Sequence, residues 1–261
     1  MWFISEEAFD VKRFFLFLLP LCLATQVAEA QELWKLRRYE VAAGLGATSF
    51  FGDVGGFSNG ENALGFRDIS ILQTRTNIDF SAKYRILYDI NARFSFSGGL
   101  LKATDERGSN EGREFEAATT FYAPTLLGEY YLIKNRLENS YGFLRNGIKH
   151  TNFFGALDIY VFSGIGGMFY SVKGNEKLES HANFRSGGFA VVLPVGIGSN
   201  YILTRDLNLG LELSGRYALS DYIDGYTSQY SRHNDVYLYL NVVITYKINV
   251  NSVGENILSR R

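Results

Sequence analysis

Cysteine, proline and histidine are scarce in this chain: one, three and three residues among 261. The one cysteine, Cys22, lies in an N-terminal apolar run, so a chain processed after that run has no thiol, no disulfide and no cysteine-ligated metal site. His150, His181 and His233 all fall in expected connections, no two of them at a metal-ligand spacing, so neither a metal nor a cofactor is expected. An excess of one charge is also missing. Removing residues 1–30 takes two of the 26 basic and four of the 27 acidic residues, leaving 24 against 23. That balance lacks the basic footprint of a nucleic-acid binder. Beyond residue 30 no apolar run reaches the roughly 18–20 residues of a helical span. A membrane barrel stays open, because its strands need only about 9–11 residues to cross. The chain is rich instead in glycine (27), phenylalanine (21) and tyrosine (17), a composition that argues against a helical domain.

The N-terminus reads as an export signal. Lys12 and Arg13 precede the ten apolar residues Phe14–Leu23, and Ala28-Glu29-Ala30 offers small residues for cleavage before Gln31. Leu19-Pro20-Leu21 before Cys22 makes a poor lipoprotein signal. The residues before Lys12 are long and acidic for a signal start, and translation starting nearer Val11 fits better. The expected organisation is a signal peptide (1–30), one barrel domain (31–248) and a polar tail (249–261).

Residues 76–101 alternate apolar and polar in the manner of a hairpin. Ile78, Phe80, Ala82, Tyr84 and Ile86 share one face; Asn77, Asp79, Ser81, Lys83 and Arg85 share the other. After a turn at Leu87–Asp89, Ile90, Ala92, Phe94, Phe96 and Leu100 oppose Asn91, Arg93, Ser95 and Ser97. Six further strands are expected, at Tyr39–Thr48, Phe121–Ile133, Phe153–Tyr170, Gly187–Leu203, Leu207–Tyr217 and Asp235–Ile248. Connections are long after the first, third, fifth and seventh strands and short after the second and sixth. The connection after the fourth, Lys134–Thr151, is long for an inner turn and has room for a short helix.

Period-two alternation does not say which face is inside. A soluble lipocalin-type barrel puts its apolar residues inward, a membrane barrel outward. The polar faces carry small residues beside Glu40, Asp79, Lys83, Arg93, Glu129, Asp158, Glu212 and Arg216, which suits a crowded, salt-bridged lumen. The apolar faces carry long aliphatics and rim aromatics such as Tyr84, Tyr201, Tyr217 and Tyr246. The expected fold is therefore all-β: an eight-stranded, antiparallel, up-and-down transmembrane β-barrel in a Gram-negative outer membrane, too narrow for a wide pore.

Four stretches stand in one order: Phe50–Gly56 (FFGDVGG), Val192–Gly198 (VLPVGIG), Gly210–Tyr217 (GLELSGRY) and Ser220–Asp224 (SDYID). Over about residues 38–248 the chain resembles the PorG-like family of Bacteroidetes outer-membrane barrels, the DUF6089 group. SDYID is the most specific of these; Arg113–Phe121 matches the family pattern only loosely. The resemblance implies a non-catalytic barrel that anchors or nucleates the type IX secretion machinery. It also implies membrane lipid and periplasmic or lipoprotein components of that machine as partners. The signature-loop candidates are Phe51, Gly52, Asp53, Gly55, Asp221, Tyr222 and Asp224.

The inward charges Asp79, Lys83, Arg85, Arg93, Glu129, Asp158, Glu212 and Arg216 form the candidate lumen network. They have two readings, a plug of paired charges or a conducting path, and the presence of both signs favours the plug. Asp221–Tyr230 reads either as a solvated loop bent at Asp224-Gly225 or as a tyrosine-rich contact surface. FFGDVGG reads as a folded loop plug or a recognition loop, with Phe50 and Phe51 suited to an aromatic belt. Two other functions stay open. One is a small passive channel or ligand-binding porin-like protein. The other is a lipid-modifying barrel enzyme, for which His233 near Ser231 and Asp235 is the candidate; no enzyme is expected.

Overall fold

The computed structural model describes residues 33–54, 73–106, 111–137, 153–227 and 234–249. The expected export segment with Cys22, most of the tail, Gly55, His150, Ser231 and His233 lie outside these residues. Eight strands follow in chain order: β1 (Tyr39–Phe51), β2 (Arg75–Arg85), β3 (Ile90–Thr104), β4 (Glu116–Ile133), β5 (Leu157–Gly174), β6 (Gly187–Ile202), β7 (Leu207–Ala218) and β8 (Val236–Ile248). Each pairs antiparallel with its sequence neighbours, and β1 closes on β8, so the sheet is a barrel without edges. Closure matters in hydrocarbon, where an unpaired backbone group has no water to bond.

Two tight turns mark one end. Ile86 and Leu87 donate backbone N–H bonds to the Ile90 carbonyl at 2.9 and 3.1 Å, and Leu203 and Thr204 donate to Leu207 at 3.0 Å. The opposite, loop end carries the connections after β1, β3, β5 and β7, while the long connection after β4, residues 134–156, lies at the turn end. The connection after β5 holds the single-turn helix α1 (Glu176–Glu179), capped by the Asn175 side chain, which accepts from the Leu178 N–H at 3.0 Å.

Strand boundaries differ from expectation by more than one residue on four strands; β3 runs to Thr104, three residues past the expected hairpin. β1 runs three residues further, to Phe51. β4 starts at Glu116, five residues early, because Glu116, Ala118 and Thr120 face outward beyond the apolar belt and carry no apolar signal, while Ala117, Thr119 and Phe121 pack inward. β5 starts late: Phe153–Ala156 is a 3-10 turn whose Ala156 packs against Ile202. β5 then continues to Gly174, paired with Ala117.

The faces are unambiguous. Leu45, Leu126 and Val195 are 61, 61 and 62 % exposed, whereas Lys83, Arg93 and Glu129 are 2, 2 and 1 % exposed. Apolar residues face out and charges face in, the reverse of a soluble lipid carrier and the order of a transmembrane barrel. Aromatic residues border the belt. At the loop end Tyr122 is the register partner of Phe169, and Phe169 of Phe189, with Phe96 stacked on Tyr122 at 6.4 Å. At the turn end Tyr39 opposes Tyr84, their rings 5.3 Å apart. Tyr122 and Tyr130 of β4 bound the belt on one strand. At about 3.4 Å per residue and a tilt of roughly 40°, that separation gives a height of about 20 Å, close to the ~25 Å apolar band of such barrels. Phe50 is a correction: it points inward and is buried in the mouth, because even-numbered residues of β1 face the lumen.

Candidate functional site

The lumen is filled in two layers. The layer nearer the turns is a charge network built by strand register. Lys83 of β2 and Arg93 of β3 are direct register partners, a like-charge pair that is unfavourable alone. Carboxylates from β2, β4 and β7 offset it. Lys83 Nζ lies 2.8 Å from Glu129 and 3.9 Å from Glu212. The Arg93 guanidinium meets Glu212 at 2.7 Å, Asp79 at 3.1 Å and Glu129 at 3.2 Å. Asp79 also accepts from the Ser95 hydroxyl.

VLPVGIG has a structural use here. Tyr160, Gly198 and Glu212 stand in one row across β5, β6 and β7. A Cβ on Gly198 would lie 2.4 Å from the Tyr160 ring. The bare glycine lets that ring cross β6, and its hydroxyl donates to Glu212 at 2.5 Å.

Five candidates meet in this layer: Asp79, Lys83, Arg93, Glu129 and Glu212. The other three do not join them. Arg85 pairs with Glu40 at 2.7 Å, nearer the turns. Asp158 takes Lys134 at 3.1 Å and both the backbone and side-chain nitrogens of Asn135, at 2.7 and 2.5 Å. Arg216 corrects the expectation of a cross-lumen ion pair: it donates to Ser97 at 3.0 Å and lies over the Tyr239 ring at 4.3 Å.

Above Arg216 the filling turns apolar. Phe121, Tyr237 and Tyr239 stack with ring separations of 5.3–5.9 Å, joined by Phe50, Met168, Val172 and Ile223. Ile223 comes from SDYID, so the loop after β7 folds into the mouth, and its residues 221–227 are not a solvated excursion. The Thr119 hydroxyl donates to the Ile223 carbonyl at 2.6 Å. A turn closed by Gly225 N–H to the Tyr222 carbonyl (3.0 Å), with Gly225 at φ +79°, brings the chain back.

The two signature loops meet at this plug. Asp224 accepts from the N–H groups of Val54 and Tyr226, both at 3.0 Å. Arg113 donates to the Asp53 carbonyl at 2.7 Å, grips Asp105 at 3.0 and 3.1 Å, and lies 5.2 Å from the rings of Phe115 and Tyr226. Asp221 bonds Thr227 at 2.5 Å, the Arg185 guanidinium lies over Tyr222, and Phe51 is half-buried at the end of β1. Gly52 passes so close to Asp235 that a Cβ would lie 2.7 Å from its Oδ1. Burial pushes Asp224 up to about 7, against the two N–H bonds it accepts. Burial and the Asp224 charge hold Asp235 well above the usual carboxylate range.

Sequence reasoning missed Asp105, Arg113 and Tyr160 as tying residues. Arg113 lies in the stretch 113–121, which matches the family pattern only loosely. His181 packs its ring against Phe115 and Tyr226, at 5.8 and 5.1 Å. Among the described residues no cluster of His, Cys, Asp and Glu could hold a metal ion.

Comparison with solved structures finds barrels of low similarity. Neisserial surface protein A is 12 % identical at a TM-score of 0.44, over 80 % of this chain and 96 % of that one. Ail, the attachment invasion locus protein of Yersinia pestis, is 10 % identical at 0.41, over 81 and 97 %. OprG of Pseudomonas aeruginosa is 11 % identical at 0.40, over 82 and 97 %. No match was found among curated proteins. A family model described as a domain of unknown function, DUF6089, matches residues 12–249, and the chain belongs to that family.

Proposed function

We propose that this protein is a non-catalytic outer-membrane barrel that anchors or nucleates a protein-secretion assembly, the type IX machinery by family resemblance. It reaches the membrane through a cleaved signal peptide. The observation that carries the scaffold reading is the doubly filled lumen: an ion-paired layer centred on Arg93 and an aromatic plug capped by Ile223. Such an interior, filled in both layers by the described residues, suits a rigid wall better than a porin-like channel. Docking then falls to the ends, and periplasmic or lipoprotein partners would meet the turn end and the tail. The test is affinity capture of the tagged full-length protein from crosslinked outer membranes. Recovery of periplasmic ring or lipoprotein components supports the reading; capture of the barrel alone, under crosslinking that traps other known assemblies, counts against it.

A further inference from the structure

We infer that Asp224 and Asp235 form a buried proton site that latches the Ser220–Thr227 segment in the barrel mouth, so that loss of the proton frees this segment while the barrel wall stays intact. The two carboxylates grip adjacent residues of one segment. Asp235 Oδ2 accepts from the Ile223 N–H at 2.8 Å, and Asp224, the next residue, accepts from Val54 and Tyr226. Both are 1 % exposed.

Neither makes an ion pair with any described residue. The nearby cations are committed elsewhere: Arg113 to Asp105 and the Asp53 carbonyl, Arg185 to the face of Tyr222. Asp53 and Asp221 face the pair and add negative charge, while the rings of Tyr170, Tyr226 and His181 line the same mouth. A separate observation favours a proton on Asp235. Its Oδ1 is buried against Gly52 and takes no hydrogen bond among the described residues, so a charge there would be neither solvated nor paired.

The sign follows from burial. Both groups hold their protons to higher pH in the folded mouth than in a released loop. The latch is therefore complete below the ordinary carboxylate range, near pH 4, and weakens as pH rises through about 7, where Asp224 titrates. Ionising both sets a charge on the segment, at Asp224, against a like charge at Asp235 in the same desolvated mouth, which favours the segment's exit to water. The carboxylates of the wall's charge network, Asp79, Glu129 and Glu212, are instead held by Arg93 and Lys83.

Hydrogen exchange on the full-length protein in detergent, corrected for the intrinsic pH dependence of amide exchange, tests this. Protection of the Val54, Ile223 and Tyr226 amides should fall at least tenfold between pH 6 and 9 relative to wall amides such as Leu211 and Val243. In Asp235→Asn, which removes one charge and can still accept from Ile223, the fall should vanish or move to higher pH. Heat-modifiable gel mobility verifies that this variant has folded; if it has not, Asp235→Ser serves in its place. Unchanging protection in the wild type, or the same fall in the variant, would overturn the inference.

Discussion

Lys83 and Arg93 face each other directly across the β2–β3 ladder, and three carboxylates from β2, β4 and β7 converge on them. Two cations on one rung of an inward face would repel in a low-dielectric interior. The closed sheet delivers Asp79, Glu129 and Glu212 to the same level, so the barrel's register assembles the network.

Arg93→Leu therefore removes the partner of three buried carboxylates at once. The expected loss is about 3–5 kcal/mol, the usual cost of orphaning a buried charge. Adding Glu212→Gln should restore part of it, because one uncompensated charge goes as well. Urea titration of folding into liposomes measures both; additive losses in the double variant would contradict the network.

Gly198→Ala should cost roughly 1–3 kcal/mol by overpacking. The new methyl lies in the path of the Tyr160 ring, which must leave Glu212. The same titration reads the loss, and Tyr160→Phe with Gly198→Ala should lose little more than Gly198→Ala alone. Full stability of Gly198→Ala would show that the ring does not need the bare glycine.

Lipid-facing substitutions should follow depth. Leu211, 50 % exposed and midway along β7, should cost about 2–4 kcal/mol as Leu211→Arg, whereas Leu203→Arg at the turn should cost about 0–1 kcal/mol. Equal, small effects at both positions would speak against a membrane belt.

Planar-bilayer recording should show no steady open current from the purified barrel at neutral pH. Among the described residues, ion pairs occupy the lumen near the turns and aromatic rings occupy it near the loops. A sustained, ohmic conductance would replace the scaffold reading with a channel.

Much of this architecture is legible in the chain because a strand's side chains repeat every two residues, and nearly every expected face matches the observed one. The early start of β4 was hidden because Glu116–Thr120 lies outside the belt and loses its apolar face. Phe50 was misplaced because an aromatic near a strand end suits a lipid rim as well as a lumen plug; strand parity decides between them. Lumen membership was legible residue by residue, but pairing was not. Arg93 and Glu212 stand 119 positions apart and meet only through the register of a closed sheet. Arg85 found Glu40, and Arg216 found a tyrosine ring, for the same reason.

The central claim is that hydrocarbon lies outside the wall and charge within it. Quenching of tryptophan by brominated lipid tests it most directly, with Leu211→Trp on the outer face and Tyr237→Trp on the inner, each in a Trp34→Phe background. Strong quenching at 211 and little at 237 is the predicted result. Quenching at 237 with none at 211 would turn the barrel inside out and contradict the account.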